Sequence, residues 1–160
     1  MWATRTAVQE SPLHGLGVFT LEPIPKGKIV SIWRRFVLYT EREYVHLSLK
    51  SPEVRRNSVR LVGTYFLHQP GGSLPDDYIN HASDPNLICV AGVLMARRNI
   101  DCGEELTIDY RVYYSPITAE PFIDSASGVW IAGSSPREAL LRACQAVVEL
   151  LSQADDWNGE

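Results

Sequence analysis

The sequence predicts a mainly β fold of small sheets, with short helices in an insert and one longer helix near the C-terminal end. Short β-branched runs bounded by Gly and Pro recur between residues 5 and 110, and this punctuation is typical of short strands joined by turns. Thr40 and Ser135 each stand three residues before a glutamate, which is the capping-box signature of a helix start. After Ser135 a long series of apolar residues follows at helical spacing.

Length and composition fit one globular domain whose main function is not nucleic-acid binding. The 160 residues are 45% hydrophobic and 21% charged, an ordinary balance for a soluble protein with a single core. The formal net charge of −4, without a cluster of Lys and Arg, argues against direct binding of nucleic acid. An acidic protein suits a basic partner such as a lysine-rich tail.

The cysteines and the chain ends indicate an intracellular protein. The three cysteines are widely spaced and form no C-x-x-C pair, which argues against a zinc cluster and against a disulfide framework. We therefore expect reduced thiols, no bound metal and a cytoplasmic location. The sequence shows neither a signal peptide nor an apolar run of the roughly 18 residues that a membrane span needs. Export by a dedicated bacterial apparatus is compatible with this pattern.

The stretch from Asp77 to Tyr110 carries the densest functional signal. Asn80 and His81 precede a turn at Ser83–Asn86, which puts polar groups at the edge of a predicted apolar core. Tyr110 ends a β-branched run, so we expect it where a strand terminates. An apolar bed with a few convergent polar groups is what a small-molecule site requires.

Gly15 and Gly17 flank Leu16 in a predicted turn before a strand. Either the glycines let the backbone approach a cofactor closely, or they only adopt the unusual φ of a hairpin. Spacing alone favours the second interpretation. No lysine or helix signal follows as a phosphate-binding loop requires.

These three blocks together resemble the SET-domain family of protein-lysine methyltransferases. The family pattern places a Gly-x-Gly first, then Asn-His ahead of Pro-Asn, and then Gly-Glu-Glu-Leu-Thr ending in Asp-Tyr. The chain has them in that order at Gly15–Gly17, Asn80–Asn86 and Gly103–Tyr110. The order of the three blocks makes the resemblance specific. It implies a small stand-alone SET domain. It also favours the first interpretation of the glycine turn, in which the glycines let the backbone approach a cofactor closely.

The resemblance implies S-adenosylmethionine as the methyl donor and a lysine side chain of a protein as the acceptor. Leu16 and Gly17 match the turn that lies along the cofactor, mainly through backbone groups. Asn80 and His81 match the pair that holds the cofactor, through the asparagine side chain and through main-chain and ring contacts of the histidine. These four residues are the expected cofactor-binding residues.

Tyr110 matches the family's catalytic tyrosine. Transfer of a methyl group from a sulfonium to an amine releases a neutral thioether, so positioning and exclusion of water dominate the chemistry. The lysine must lose a proton, and a tyrosine hydroxyl serves better as a positioner than as a strong base. Tyr113 and Tyr114 fall where the family places the aromatic that sets the number of methyl groups, and we choose Tyr113 as the substrate-binding residue.

The resemblance also implies an architecture. Residues 1–115 would form the SET domain with an insert at about 40–70. Residues 116–160 would form a lid segment and an amphipathic helix in the same folding unit. In the family the segment ending at Tyr110 threads beneath the loop around Asn80, in a knot-like crossing.

Departures from the family pattern leave the substrate and the closure of the site open. Asp77 stands where Arg is common, Ile108 replaces a usual aromatic, and the cysteine-rich zinc-binding tail is missing. A segment within residues 111–130 must then close the lysine channel in place of that tail. Phe122 and Trp130 are candidates for a lid over the cofactor, although a plain core role is favoured for both.

Two surfaces remain to be assigned. The insert carries Arg42, Arg55, Arg56 and Arg60, for which a solvated face is favoured over substrate contact. The C-terminal helix carries an apolar stripe of Leu140, Cys144, Val147 and Leu151, with Leu141 and Val148 alongside. The stripe either packs on its own domain or pairs with a second copy, so monomer and homodimer both stay open.

The resulting hypothesis is a lysine methyltransferase that acts on a basic protein such as a histone tail, without direct binding to nucleic acid or membrane. A histone target would place it in a nucleus, its own or a host cell's. The alternative is a catalytically inactive SET-like domain that binds a peptide or protein. The presence of Asn80, His81 and Tyr110 argues against inactivity.

Overall fold

The computed structural model describes residues 1–33, 36–68, 70, 75–117 and 121–152. The strands in these residues are β1 (Thr6–Glu10), β2 (Leu16–Thr20), β3 (Ile29–Ile32), β4 (Val37–Thr40), β5 (Ser58–Val62), β6 (Tyr65–His68), β7 (Asn80–His81), β8 (Leu87–Val90), β9 (Val93–Ala96), β10 (Glu105–Ile108), β11 (Phe122–Ile123) and β12 (Trp130–Ile131). The helices are α1 (Glu41–Ser48), α2 (Pro52–Arg56) and α3 (Pro136–Ser152), and short 3-10 turns span Pro75–Tyr78 and Tyr110–Val112. The prediction of a mainly β fold with a C-terminal helix is confirmed.

The strands form four small sheets, and one of them positions the candidate site. Its strand order is β1-β2-β10-β7, beside three-stranded sheets β3-β9-β8 and β4-β6-β5 and the hairpin β11-β12. β10 runs parallel to β7, with Thr107 opposite Asn80 and Ile108 opposite His81. The same β10 pairs antiparallel with β2. All three motif blocks therefore meet in one sheet. The knot-like crossing and the domain division at residue 115 stay predictions.

The apolar core lies between this sheet and the β3-β9-β8 sheet. Val18, Val30, Leu94 and Leu106 come from β2, β3, β9 and β10 and have no exposed surface. They belong to one cluster that also holds Ile79 and Ile108. Burial of such aliphatic side chains is the main force that holds small sheets together. The core thus fixes the strand ends from which the site residues project.

Side-chain caps start the helices where the sequence predicts them. The Thr40 hydroxyl accepts from Glu43 N, and the Glu43 carboxylate accepts from Thr40 N. Ser135 and Glu138 form the same reciprocal pair, with N···O distances of 3.0 and 3.3 Å, and α3 begins at Pro136. Such caps satisfy the backbone N–H groups that a helix start leaves open.

α3 packs on the domain through a different face from the predicted stripe. It lies against β8, β5 and the 3-10 turn at Tyr110–Val112. Ala139 and Leu150 are its buried residues, whereas Leu140, Leu141, Val148 and Leu151 are 45–61% exposed. Pairing of that exposed face with a second copy stays a prediction. Among the helices described, none is long and apolar enough to cross a membrane. Residues 153–160, the end of the predicted C-terminal segment, lie outside the described residues.

The expectation that the insert arginines are solvated is wrong for Arg60. This residue is 3% exposed, and its Nη1 donates to the Ser134 carbonyl at 2.7 Å. Its Nη2 lies 3.7 Å from a carboxylate oxygen of Glu41, and its guanidinium covers the Phe66 ring. Arg60 lies on β5, a strand whose inward face is covered by the segment before α3, so its charge is buried rather than solvated.

Candidate active site

A wide cavity of about 480 Å³ opens beside the predicted cofactor-binding residues. Its lining comprises Leu13, His14, Asn80, His81, Tyr110, Pro121, Phe122, Ile123, Asp124 and Ser125. Its volume lies within the range of pockets that hold small ligands and cofactors. Leu16 and Gly17 are not part of this lining, and they are the first two residues of β2, which follows His14 in the chain. The structure therefore brings Asn80, His81 and Tyr110 to one cavity.

Asn80 ties the glycine turn to the rest of the site. Its Nδ2 donates to the carbonyls of His14 and Leu16 at 3.1 and 3.0 Å, and to Glu105 Oε1 at 2.7 Å. Ser11 Oγ donates to both oxygens of the same carboxylate at 2.8 Å. The amide hydrogens of Asn80 are thus used within the protein, and its Oδ1 is the atom that a ligand could engage.

A glycine is required at position 17 because the side chains of Glu105 and Ser11 lie close to it. A Cβ at this position would lie 2.8 Å from Cδ of Glu105 and 3.0 Å from Cβ of Ser11. The neighbouring Gly15 instead has a φ of +50° and open space around its missing Cβ. The two glycines therefore serve different purposes, one for a turn conformation and one for the contact with Glu105. No local sequence pattern links Glu105 to Asn80, whose Nδ2 donates to it across 25 residues.

His81 is held as a neutral ring, and one of its nitrogens lacks a partner among the described residues. The residue is 7% exposed, and its Nδ1 accepts from the Tyr110 backbone N–H at 3.1 Å. Burial lowers the pKa of His81, an effect that the carboxylate of Asp109 opposes in part. An accepting Nδ1 places the proton of the neutral ring on Nε2. Within the described residues Nε2 is buried and has no hydrogen-bond partner.

Tyr110 is fixed by its hydroxyl and by three aromatic neighbours. Its Oη donates to the Ile79 carbonyl at 2.8 Å. The rings of Tyr114, His81 and Phe122 lie 5.0, 5.5 and 6.1 Å from its own. Burial raises the pKa of Tyr110, helped by Tyr114 and Glu105. The hydroxyl therefore keeps its proton at neutral pH.

A second, narrower cavity of about 70 Å³ adjoins Tyr110. Its lining comprises Trp33, Phe36, Asn57, Val59, Leu67, Asp76, Asp77, Ile79, Ile108, Tyr110, Tyr113 and Tyr114. Five of these twelve side chains are aromatic. Tyr110 borders both this cavity and the wide one. Two ligands bound in the two cavities would thus meet at the same tyrosine.

Both tyrosines considered for substrate contact line the narrow cavity. Tyr114 packs its edge against Tyr110, and burial raises the pKa of Tyr114 to about 12. Tyr113 is 3% exposed and lies 6.0 Å from the Trp33 ring. Of the two, Tyr114 is the one with a ring contact to Tyr110, at 5.0 Å. The choice of Tyr113 as the substrate-binding residue stays a prediction.

The hairpin β11-β12 closes one side of the wide cavity. Phe122 packs edge-on against His81 with ring centres 5.6 Å apart. Ser83 Oγ donates to Asp124 at 2.8 Å, and Ser127 donates to the same carboxylate oxygen. These hydrogen bonds lower the pKa of Asp124 to about 2, and the bond from Ser127 has the largest effect.

The expectation of a core role for Trp130 is wrong, since Trp130 is 60% exposed.

Two cavities of different volume thus border the same half-buried tyrosine, Tyr110. The model of the SET domain family matches residues 15–111, which is more than half of the chain. The chain therefore belongs to the SET domain family.

Solved structures agree with this assignment at the level of the fold. The Neurospora SET domain protein DIM-5, a histone lysine methyltransferase, superposes with a TM-score of 0.55 at 21% identity. The match covers 68% of this chain and 53% of that protein. A humanized mutant of the Chaetomium thermophilum Polycomb Repressive Complex 2 gives a TM-score of 0.59 at 21% identity, over 91% of this chain and 22% of that one. This chain thus spans about half or less of either structure. Curated proteins gave no match.

Proposed function

We propose that this SET domain is an S-adenosylmethionine-dependent protein-lysine N-methyltransferase. The observation that carries the proposal is that Tyr110 borders both cavities, wide and narrow. A transfer reaction needs its donor and acceptor at near-attack distance with water excluded. The fold is that of lysine methyltransferases, as the named structures indicate.

The residues of the wide cavity fit the proposed cofactor. The buried Nε2 of His81 lacks a partner among the residues described, and a buried donor without a partner costs free energy unless a ligand accepts from it. Asn80 Oδ1 offers an acceptor, and Phe122 offers an apolar face. The bound cofactor would supply an electrophilic methyl group, and His81, Asn80 and Phe122 would hold it.

The residues of the narrow cavity would orient the amine. Because the hydroxyl of Tyr110 donates to Ile79, its oxygen lone pair is left to accept from an amine N–H. That contact turns the amine lone pair away from Tyr110 and toward the wide cavity. Since burial raises the pKa of Tyr110, the tyrosine positions the amine and does not remove its proton; the lysine ammonium would give that proton to water before the transfer. Trp33 and Tyr114 would exclude water around the aliphatic stem.

We further propose a basic protein, such as a histone tail, as the substrate, in an intracellular setting. The support is the net charge of −4, which favours association with lysine-rich segments. The Neurospora relative in fold is described as a histone lysine methyltransferase. Incubation with histones and other basic proteins, followed by mass spectrometry of lysine residues, identifies the target.

Tyr110→Phe tests the assigned chemistry. We expect the variant to bind S-adenosylmethionine with unchanged affinity by calorimetry, and to lose turnover by about a hundredfold because the amine is no longer oriented. Tyr65→Phe is the matched control, since Tyr65 is 45% exposed on β6. Equal turnover in both variants removes Tyr110 from its role. Failure of the unaltered chain to bind the cofactor at millimolar concentration favours a catalytically inactive binding module.

A further inference from the structure

Arg60 connects the insert to the segment that carries the tyrosines of the narrow cavity. The residue lies on β5 and is 3% exposed. Its backbone N–H donates to the Tyr113 carbonyl at 2.9 Å, and its Nη1 donates to the Ser134 carbonyl at 2.7 Å. One residue of the insert is thus bonded both to the tyrosine pair and to the segment before α3.

Residues 133 and 134 lie directly against the backbone of Tyr114. Ser134 N donates to the Tyr114 carbonyl at 3.2 Å. Gly133 has a φ of +78°, and a Cβ there would lie 2.6 Å from the same carbonyl oxygen. The N–H of Tyr114 donates to the Tyr110 carbonyl at 3.1 Å. The backbone of Tyr114 is therefore held by Tyr110 on one side and, on the other, by the segment that Arg60 binds.

The carboxylate of Glu41 joins the same group of contacts. One of its oxygens accepts from Ser115 Oγ at 3.3 Å and lies 3.7 Å from Arg60 Nη2. Ser115 has no exposed surface. The first residue of α1 therefore links the guanidinium to the residue that follows Tyr114.

A guanidinium is a costly side chain to bury for packing alone. Burial lowers the pKa of Arg60 and Glu41 opposes the fall, but an arginine keeps its charge in a protein. Its Nε and Nη2 have no hydrogen-bond partner among the described residues, and an apolar side chain of similar volume would avoid this cost. An apolar side chain could not supply the directed, charge-assisted bond from Nη1 to Ser134.

We propose that Arg60 is a positioning residue that holds the Tyr114 ring against Tyr110 in the narrow cavity. The inference rests on the proposed function for the role of that cavity. Tyr114 lines it and packs edge-on against Tyr110 at 5.0 Å. Arg60 is not among the described residues that line the two cavities at Tyr110, so it acts through the backbone at Tyr113 and Ser134. Loss of the guanidinium should lower kcat and leave cofactor binding unchanged.

Fluorine NMR tests the positioning without catalysis. The full chain is labelled with fluorotyrosine, and the signal of Tyr114 is assigned by its absence from Tyr114→Phe. Arg60→Met removes the guanidinium but keeps an aliphatic side chain, and such a replacement of a buried ion is often neutral or stabilising. We expect the Tyr114 signal to shift at an unchanged or higher Tm. Arg42→Met, at an exposed arginine of α1, should leave the signal in place.

A Tyr114 signal that stays in place in folded Arg60→Met overturns the inference. If that variant does not fold, Glu41→Gln supplies the test, because the Glu41 side chain is 24% exposed and glutamine keeps an acceptor for Ser115. The guanidinium then lacks its carboxylate, so the same signal should shift by a smaller amount. Glu53→Gln, exposed on α2, is the matched control. Equal signals in the two glutamine variants overturn the inference as well.

Kinetics separate this inference from the proposed function. With a methylated substrate peptide in hand, Arg60→Met should lower kcat about tenfold, while the affinity for the cofactor by calorimetry stays within about twofold. Leu150→Ala, which removes a buried side chain elsewhere, is the control for lost stability and should keep kcat below its Tm. An unchanged kcat in Arg60→Met refutes the positioning role alone. A shifted Tyr114 signal in a chain that transfers no methyl group refutes the proposed function alone.

Discussion

Gly17 shows how much one side-chain atom matters at this site. In Gly17→Ala the new methyl group meets Glu105 at 2.8 Å and Ser11 at 3.0 Å, so the carboxylate must move away from Asn80. We expect a loss of about 1–3 kcal/mol in the free energy of unfolding. Under the proposed function, a weaker affinity for S-adenosylmethionine should accompany it. Urea denaturation and calorimetry measure the two effects.

Gly15→Ala is the matched control for that substitution. Its φ of +50° makes alanine strained, yet no atom lies within 4 Å of the added methyl group. We expect about 1–2 kcal/mol of destabilisation and a cofactor affinity close to that of the unaltered chain. An equal loss of affinity in both variants would show that the Glu105 contact is not what supports the cofactor cavity.

His81 should make stability depend on pH in a defined window. Burial lowers its pKa below the ordinary value of 6.5, so in this window the unfolded chain binds more protons than the folded chain. The contribution of His81 to the free energy of unfolding is therefore fully present above pH 6.5 and is lost as the pH falls toward its lowered pKa. Denaturation between about pH 7.5 and 5.5 avoids most carboxylate titration. His81→Gln should flatten this slope, and the exposed His46→Gln should retain it; a slope unchanged in His81→Gln contradicts the assignment.

Sequence motifs point to the cavity residues that stand beside other motif residues in the chain. Asn80, His81 and Tyr110 line one cavity, while their roles in cofactor binding and catalysis stay predictions. Glu105 and Asp124 were missed as anchors, because their partners Asn80 and Ser83 lie 25 and 41 residues away. Pairings over such distances depend on sheet topology, which a local pattern does not contain.

At the scale of elements, α3 offers two adjacent leucines with opposite surroundings. Leu150 is 2% exposed and Leu151 is 51% exposed. Leu150→Ala should cost about 2–4 kcal/mol, since it leaves a cavity beneath the helix. Leu151→Ala should change stability by less than about 0.5 kcal/mol. Urea denaturation compares them, and a concentration-dependent loss in Leu151→Ala would instead reveal pairing with a second copy.

The helices were easier to predict than the strands, for a physical reason. Thr40 and Ser135 begin helices through contacts three residues away, which are visible in sequence. The hairpin β11-β12 pairs two residues with two, too short to leave a period-two pattern. The burial of Arg60 depends on Ser134, 74 residues later, and so escaped prediction.

At the scale of the whole molecule, a ligand that joins several segments should stabilise all of them. The wide cavity is lined by residues from Leu13 to Ser125, which span most of the chain. At a concentration about a hundredfold above its Kd, a ligand that binds only the folded state adds about 2.7 kcal/mol to the free energy of unfolding. For a chain of this size that corresponds to a rise in Tm of about 5–10 °C. Differential scanning calorimetry with S-adenosylmethionine measures it, with ATP as an adenosine-containing control; equal shifts contradict specific binding.

The bond between Ser11 and Glu105 spans 94 residues, and it has a consequence for a chain emerging from the ribosome. Until Glu105 and the rest of β10 have been synthesised, β2 has a neighbour only in β1, and its other edge is open. An open strand edge recruits other strands, and contacts of such long range form slowly. A nascent chain that stalls before Glu105 should therefore depend on chaperones, whereas one that has passed Tyr110 can close its own sheet.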